Sequence, residues 1–511
     1  MPLASARVAL HPDIVIGTID PRLYGSFIEH LGRAVYNGIY EPGHPQADAN
    51  GFRQDVLALI RELNVPIVRY PGGNFVSGYR WEDGVGPHSD RPRRLDPAWR
   101  TIETNQFGTD EFMRWCKAAN TEAMMAVNLG TRGMAEAAAL LEYCNVPGGT
   151  AWSDLRRKNG AAEPYRVKTW CLGNEMDGPW QMGHKTADEY GRLAAETGRL
   201  MKMIDPSLEL VACGSSGNSL PTFAGWDARV LELTHDVADY LSLHTYLGKG
   251  DGWGSATLRT WGEYQAQPLN MEWHIRSIIA TCDHVQAKLK SKKKLMLSFD
   301  EWNVWWHSNS PTYPKFADWS IAPAQLEDNY THEDALVMGS MMLSLLRHAD
   351  RVRMACLAQL VNVIAPILTR NGGPAWKQTI FWPYLHGSLY GRGESLHVAI
   401  DSPVYDSKEF GPVPYLDAVA TRDPAANTLT LFAINRAEKD TLPLAADLRL
   451  LAPTARIIEH LVLESADSQA RNTEAAPRAV EPHKRGTAKL ESGRLSAQLA
   501  PASWNVIRIQ L

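Results

Sequence analysis

The chain has 511 residues, 44% hydrophobic, 21% charged and 9% aromatic, with 52 basic and 57 acidic side chains for a formal charge of -5. That is globular material with apolar mass for a large core, and it excludes wholesale disorder, a collagen-like rod and a membrane bundle. General nucleic-acid binding has no electrostatic support in a mildly acidic chain.

In chain order, an early strand at residues 7–10 precedes a long alternation of short apolar runs and helix-period segments. The strand-like runs are 23–29, 67–71, 122–129, 167–172, 208–213, 240–244, 295–299 and 354–364. Segments 55–63, 187–204 and 333–346 carry apolar residues at helical spacing. Eight such alternations predict a (β/α)8 barrel of the α/β class. Its span, 17–385, exceeds the usual ~250 residues, so long insertions are expected, the largest after strands two, three, six and seven. The glycine-rich stretch 248–254 lacks a strand-to-helix context and reads as a flexible loop. The lysine-rich stretch 288–294 reads as a solvated helix end. Beyond residue 385 the pattern changes. Residues 427–434 alternate, 455–463 follow Pro453 as a strand, 490–495 read as a hairpin turn and 504–511 as a closing strand. These predict a C-terminal β-sandwich, with 465–486 as a polar surface loop and 7–10 as a strand able to pair into it. The division is therefore 17–385 for the barrel and 1–16 plus 386–511 for the sandwich.

No apolar run approaches the ~20 residues that cross a bilayer, and the first residues carry no signal-peptide pattern. A cytoplasmic protein with no membrane or nucleic-acid partner is expected. Cys116, Cys144, Cys171, Cys213, Cys282 and Cys356 stand at least 27 positions apart, which removes CxxC redox or zinc spacing. There is no HExxH and no P-loop. Reduced core thiols, no metal and no cofactor are the expectation.

Polar residues cluster where the strand-like runs end: Glu29 and His30, Arg69 to Asn74, Asn128, Asn174 and Glu175, His244 and Tyr246, Asp300 to Asn303, and Gln359 with Asn362. A barrel brings all these tips to one face, where its chemistry is placed. Strands four and seven lie three apart around the ring, so Glu175 and Glu301 can face each other across the mouth. Two facing carboxyl groups are the minimum equipment for glycoside hydrolysis, one protonated to serve the leaving oxygen and one ionised to attack or to activate water. Arg69 and Tyr246 near Glu301 would keep it ionised. Glu175, opposite, would gain a proton when its partner is charged. Taken singly, a glutamate at a strand end also caps helices or forms salt bridges.

Other candidates keep two readings. Glu29 either hydrogen-bonds sugar hydroxyls or pairs with Arg69. The run Arg69-Tyr70-Pro71-Gly72-Gly73-Asn74 is either a plain turn or one that aims Arg69 and Asn74 inward. Trp99, Trp180, Trp305 and Trp306 are sugar platforms or core. His244 orients a carboxylate or is a hydrogen-bonded structural histidine.

At these residues the sequence resembles the glycoside hydrolase family 51 α-L-arabinofuranosidases. The matching motifs run from Tyr24-Gly25-Ser26-Phe27-Ile28-Glu29-His30-Leu31-Gly32-Arg33, through Arg69 to Asn74, Gly173-Asn174-Glu175-Met176 and Asp300-Glu301-Trp302-Asn303-Val304-Trp305, to the closing Ser503-Trp504-Asn505-Val506. The Asn-Glu pair is common to a whole clan of barrel glycosidases; all the motifs in order are specific. The resemblance implies a retaining double displacement that releases terminal arabinofuranose from arabinoxylan- or arabinan-derived oligosaccharides. It implies Glu175 as acid/base and Glu301 as nucleophile. It also implies that Glu29, Arg69, Asn74, Asn174, Tyr246 and Gln359 hold the sugar, with Trp305 beside it and Trp99 near the leaving group; His244 is counted with them among the substrate-binding candidates. The family is often hexameric, so a homo-oligomer is expected. Alternatives are another retaining glycosidase of the clan, such as an endoglucanase or galactofuranosidase, and a non-catalytic sugar-binding protein.

Overall fold

A computed structural model describes residues 3–313, 319–451 and 455–511. Among them, eight parallel strands close into a barrel: β1 (Gly25–Phe27), β2 (Ile67–Tyr70), β3 (Glu122–Ala126), β4 (Thr169–Leu172), β5 (Glu209–Ala212), β6 (Tyr240–Leu247), β7 (Met296–Val304) and β8 (Val352–Ala358), with β8 hydrogen-bonded to β1. Each coincides with one strand-like run of the sequence. The physical signal is strong because these strands are buried on both faces, inside by their neighbours and outside by helices, so they read as continuous apolar runs.

The helices follow their local chemistry. Gln54–Leu63 buries Val56, Leu57, Ile60 and Leu63 as one stripe and ends at Asn64 in the left-handed conformation (φ 54°). Ala187–Ile204 opens with a capping box, in which the Thr186 hydroxyl accepts from the Glu189 backbone and the Glu189 carboxylate accepts from the Thr186 backbone. His332–Arg347 is buried on nearly every face because it lies between the barrel and the second sheet.

The strand Ala6–Thr18 and the C-terminal strands form the second body. Arg7 pairs with Asp401 antiparallel and with Ala445 in parallel, so the early strand does enter the C-terminal sheet. The tight hairpin at Ser492-Gly493 has both residues at positive φ, the turn that matches strand twist. Among the described residues, nine strands share one continuous ladder rather than two separate sheets. The ladder curls so that Leu442, Leu444, Leu495 and Leu499 pack into one core with Leu416, Leu429, Leu431 and Ile507 from its other half. This gives a sandwich by curling. Pro453 lies outside the described residues. The stretch 465–486 contains no regular element, but it is not wholly a surface loop. Val480 and Asn472 are buried, and the Val480 carbonyl accepts from the Trp382 indole.

Three strand ends differ from expectation. β6 continues to Leu247 and β7 to Val304, whereas β8 stops at Ala358, so Asn362 lies in a turn and binds the Arg33 carbonyl and Thr369. Glu301 therefore sits within β7, not at its tip. The polar residues there are paired, with Glu301 opposite His244 and Asn303 opposite Tyr246, and paired backbone continues the strand whatever the side chains.

Candidate active site

β7 is irregular where it matters. Ser298 pairs with Ser242 and Glu301 with His244, so three steps on β7 face two on β6; the same extra residue appears against β8. In a regular strand Asp300 and Glu301 would point to opposite faces. The bulge turns both into one network. Glu301 Oε1 accepts from Arg69 Nη1 at 2.7 Å and Oε2 from the Tyr246 hydroxyl at 2.8 Å. Asp300 lies beneath, 3.8 Å from Arg69 Nε and 3.2 Å from His244 Nε2, without the alignment of a hydrogen bond at either nitrogen.

Glu175 faces this group from β4. The turn after β4 places Gly173 at φ 92° and Glu175 at φ 45°, a conformation that costs a non-glycine residue energy and recurs at functional sites. Its Oε1 is 2.9 Å from His244 Nδ1, and its Oε2 accepts from the Trp180 indole at 2.6 Å. The Pro71-Gly72-Gly73 turn does more than reverse the chain. A Cβ on Gly73 would stand 2.9 Å from Glu301 Oε1, and one on Gly72 would stand 2.7 Å from Glu29 Cγ. The glycines are required by how closely the backbone passes two carboxylates.

Electrostatics separate the groups. Burial lifts the Glu175 carboxyl above the usual carboxylate range and nearby Glu301 adds to this, outweighing the His244 and Trp180 hydrogen bonds. Burial alone would lower His244, but Glu301, Asp300 and Glu175 together raise it to about 10. Asp300 is held below its ordinary value: burial opposes this, and Arg69 and His244 overcome it. Burial pushes Glu29 up to about 8, although Phe75 N and the Trp99 indole both donate to its Oε1.

Donor atoms of Glu175, His244 and Glu301 all lie within 4.8 Å of one another, a grouping able in principle to hold a cation. In this structure they are tied to one another and to the protein: Glu301 accepts from Arg69 and Tyr246, and His244 Nδ1 stands 2.9 Å from Glu175 Oε1.

A cleft of about 590 Å³ opens over these residues. Glu29, Asn74, Trp99, Glu175, His244, Tyr246, Glu301, Trp305 and Gln359 all line it. Arg69 and Asn174 do not; they sit one layer below, with Asn174 Oδ1 accepting from Arg69 Nη2 at 2.6 Å. Glu29 does not pair with Arg69. Its backbone amide donates to Gln359 Oε1, which ties the ends of β1 and β8 together. Trp180 lines the cleft, but Trp306 turns away and donates to Asp334. Asn128 holds the Tyr79 carbonyl.

The sequence reading missed Trp253, which the glycine-rich stretch carries into the cleft wall, edge-on to Trp305 at 4.5 Å. A tryptophan inside a run of glycines was the available signal. Lys249 of the same stretch is anchored to buried Glu333 at 2.7 Å. Ser216, Asn218, Leu220 and Asn270 were also missed. They lie in loops and a helix start with no marked local pattern. Each of the six cysteines is free and buried.

Two buried carboxyl groups, one pushed toward its neutral form and the other gripped by an arginine, equip the cleft for acid-assisted displacement at a sugar carbon. Comparison with known proteins agrees. The α-L-arabinofuranosidase 1 domain model matches residues 59–256, and the α-L-arabinofuranosidase C-terminal domain model matches residues 300–503. An intracellular exo-α-(1→5)-L-arabinofuranosidase of Halalkalibacterium halodurans is 57% identical over 99% of both chains. This chain belongs to glycoside hydrolase family 51, the α-L-arabinofuranosidases. The same is true of its shape. The solved structure of a family 51 α-L-arabinofuranosidase from Bifidobacterium longum superposes with a TM-score of 0.94 at 44% identity, covering 99% of each chain. A relative from Bacillus subtilis, named an intracellular exo-α-(1→5)-L-arabinofuranosidase, is 56% identical over 99% of both chains. Among the described residues no helix is long and apolar enough to cross a membrane.

Proposed function

We propose that this family 51 enzyme is an exo-acting, retaining α-L-arabinofuranosidase that removes terminal arabinofuranose from α-1,5-linked, arabinan-derived oligosaccharides inside the cell. The observation that carries the retaining reading is the spacing of the carboxyl groups. One oxygen of Glu175 and one of Glu301 lie within 4.8 Å of each other, which supports the close carboxyl groups of retaining sites (~5–5.5 Å) over the ~6.5–9.5 Å that inverting sites need for an intervening water. The linkage and the cellular location rest on the names of the relatives at 56–57% identity.

In the first step Glu301 attacks C1 and forms a glycosyl ester. The C1–O bond to the leaving sugar breaks, and its oxygen takes the Glu175 proton. In the second, Glu175 removes a proton from water, the water oxygen attacks C1, and the ester bond breaks to restore the Glu301 carboxylate. Arg69 and Tyr246 hold the Glu301 oxygens in line for attack. His244, sited between the two glutamates, steadies negative charge as it passes between them. Glu29, Asn74 and Gln359 supply polar contacts to the ring, Trp305 packs beside it, Trp99 stands near the leaving sugar, and Arg69 with Asn174 supports the floor. A homo-oligomer, with a barrel of residues 17–385 and a sandwich of 1–16 plus 386–511, completes the proposal.

Proton NMR of the first product decides the stereochemistry. Release of the α-anomer of arabinose from an α-arabinofuranoside supports retention, and initial release of the β-anomer overturns it. A panel of aryl glycosides separates arabinofuranosidase from galactofuranosidase and endoglucanase activity.

A further inference from the structure

Trp273 lies on the helix Pro268–Lys288, which begins at the cleft face of the barrel after β6. It is 53% exposed, while its neighbours Met271, His274 and Ile275 are buried. Its ring packs on Phe223 at 5.4 Å, and Phe223 packs edge-on against His274, whose Nδ1 is 2.8 Å from the Thr245 hydroxyl of the cleft wall. Asn270, three residues earlier on the same helix face, lines the cleft and accepts from Asn218 at 3.0 Å. Residues three apart on a helix have Cβ atoms ~5–6 Å apart, and helical side chains lean toward the N-terminus, here toward the cleft. Trp273 and Phe223 are not among the residues that line the cleft, but they form an aromatic shelf next to its Asn218–Asn270 edge.

The position of the acid is compatible with a leaving chain that runs toward this shelf. In the proposed mechanism Glu175 protonates the leaving oxygen, so the rest of the substrate lies on its side of the pocket. β5 is the strand beside β4, and the loop after β5 supplies Asn218 and Leu220. A chain leaving past Glu175 in this direction meets the asparagine pair first and the shelf next. Amides suit sugar hydroxyls, and an indole face suits the apolar face of a furanose ring.

We propose that Trp273 and Phe223, reached across Asn218 and Asn270, form a distal subsite for the aglycone part of a linear arabino-oligosaccharide. This rests on the reading above that the substrate is an α-1,5-linked chain. The subsite takes neutral furanose units remote from the cleaved bond, so its binding energy is realised only by substrates long enough to reach it.

The test is kcat/KM for the parent and for Trp273→Ala and Trp273→Phe, on 4-nitrophenyl α-L-arabinofuranoside and on α-1,5-arabino-oligosaccharides from the disaccharide to the hexasaccharide. The expected result has four parts. The aryl substrate is cleaved alike by all three proteins. The parent's kcat/KM rises with chain length. Trp273→Ala loses about 5- to 20-fold on the longer members through KM. Trp273→Phe keeps most of the gain. A parent without length dependence, or a Trp273→Ala variant with the parent's length dependence, overturns the subsite. A change of mass in sedimentation for Trp273→Ala assigns the shelf to contact between copies of the chain and also overturns it. Failure of the parent on the disaccharide while the aryl substrate is cleaved instead refutes the linkage reading on which the subsite rests.

Discussion

Gly73→Ala adds a single methyl group beside the nucleophile. The new Cβ would lie 2.9 Å from Glu301 Oε1 and 3.3 Å from Asn174 Nδ2, while the displaced oxygen is the one held by Arg69 at 2.7 Å. Ordinary contact needs roughly half an ångström more, and the arginine, buried with only 1% exposure, has little room to follow. Overpacking of this kind costs about 1–3 kcal/mol of stability. A 1 Å error in the position of a reacting group costs ~10²-fold in rate, so half that error predicts a fall in kcat of about tenfold. Steady-state kinetics on an aryl arabinofuranoside, with a thermal melt, measures both. Gly225→Ala is the control, because a Cβ there has nothing within 4 Å. Parental kcat and melting temperature in Gly73→Ala would refute the claim that close backbone approach to Glu301 explains this glycine.

Glu301→Ala is expected to lose at least about 10³-fold in turnover on every substrate with its circular dichroism unchanged. Glu175→Ala keeps a fast first step only with very good leaving groups, and a pre-steady-state burst of nitrophenol would show this. His244 titrates in the folded protein at about 10, above its unfolded value near 6.5. Its contribution is therefore full below pH 6.5 and lost as pH rises through 10. The melting-temperature gap between parent and His244→Asn should be widest near pH 6 and close toward pH 10; a gap that widens with pH would sink the assignment. Glu333→Gln frees Lys249 and with it the Trp253 loop. KM should rise several-fold with kcat nearly unchanged, since neither Glu175 nor Glu301 touches that pair.

Much of the site was legible because a barrel converts chain order into position. Once eight strands are recognised, Glu175 and Glu301 must meet at one mouth, and Arg69 and Tyr246 must fall near the second of them. Arg69 was expected to touch sugar. Its guanidinium donates to Glu301 and Asn174 beneath the cleft lining, partners that the length of an arginine in a strand does not reveal. Trp99 and Trp305 reach the cleft and Trp306 does not, although Trp305 and Trp306 are adjacent. The direction of each is set by its partners, Ser308 for Trp305 and Asp334 for Trp306, and Asp334 lies 28 residues away in sequence.

Local sequence determined the elements themselves. Apolar runs made the strands, capping residues started the helices, and Ser492-Gly493 closed a hairpin. These depend on interactions within a few residues, which a linear reading captures. Tertiary structure decided the rest. It set the extra residue in β7 that lets Asp300 and Glu301 share one network, the proximity that demands glycine at 72 and 73, and the raised affinity of His244 for its proton. It also curled nine strands into one ladder around a shared core. Each is an effect of groups far apart in the chain, whose mutual distances and burial exist only once the barrel closes.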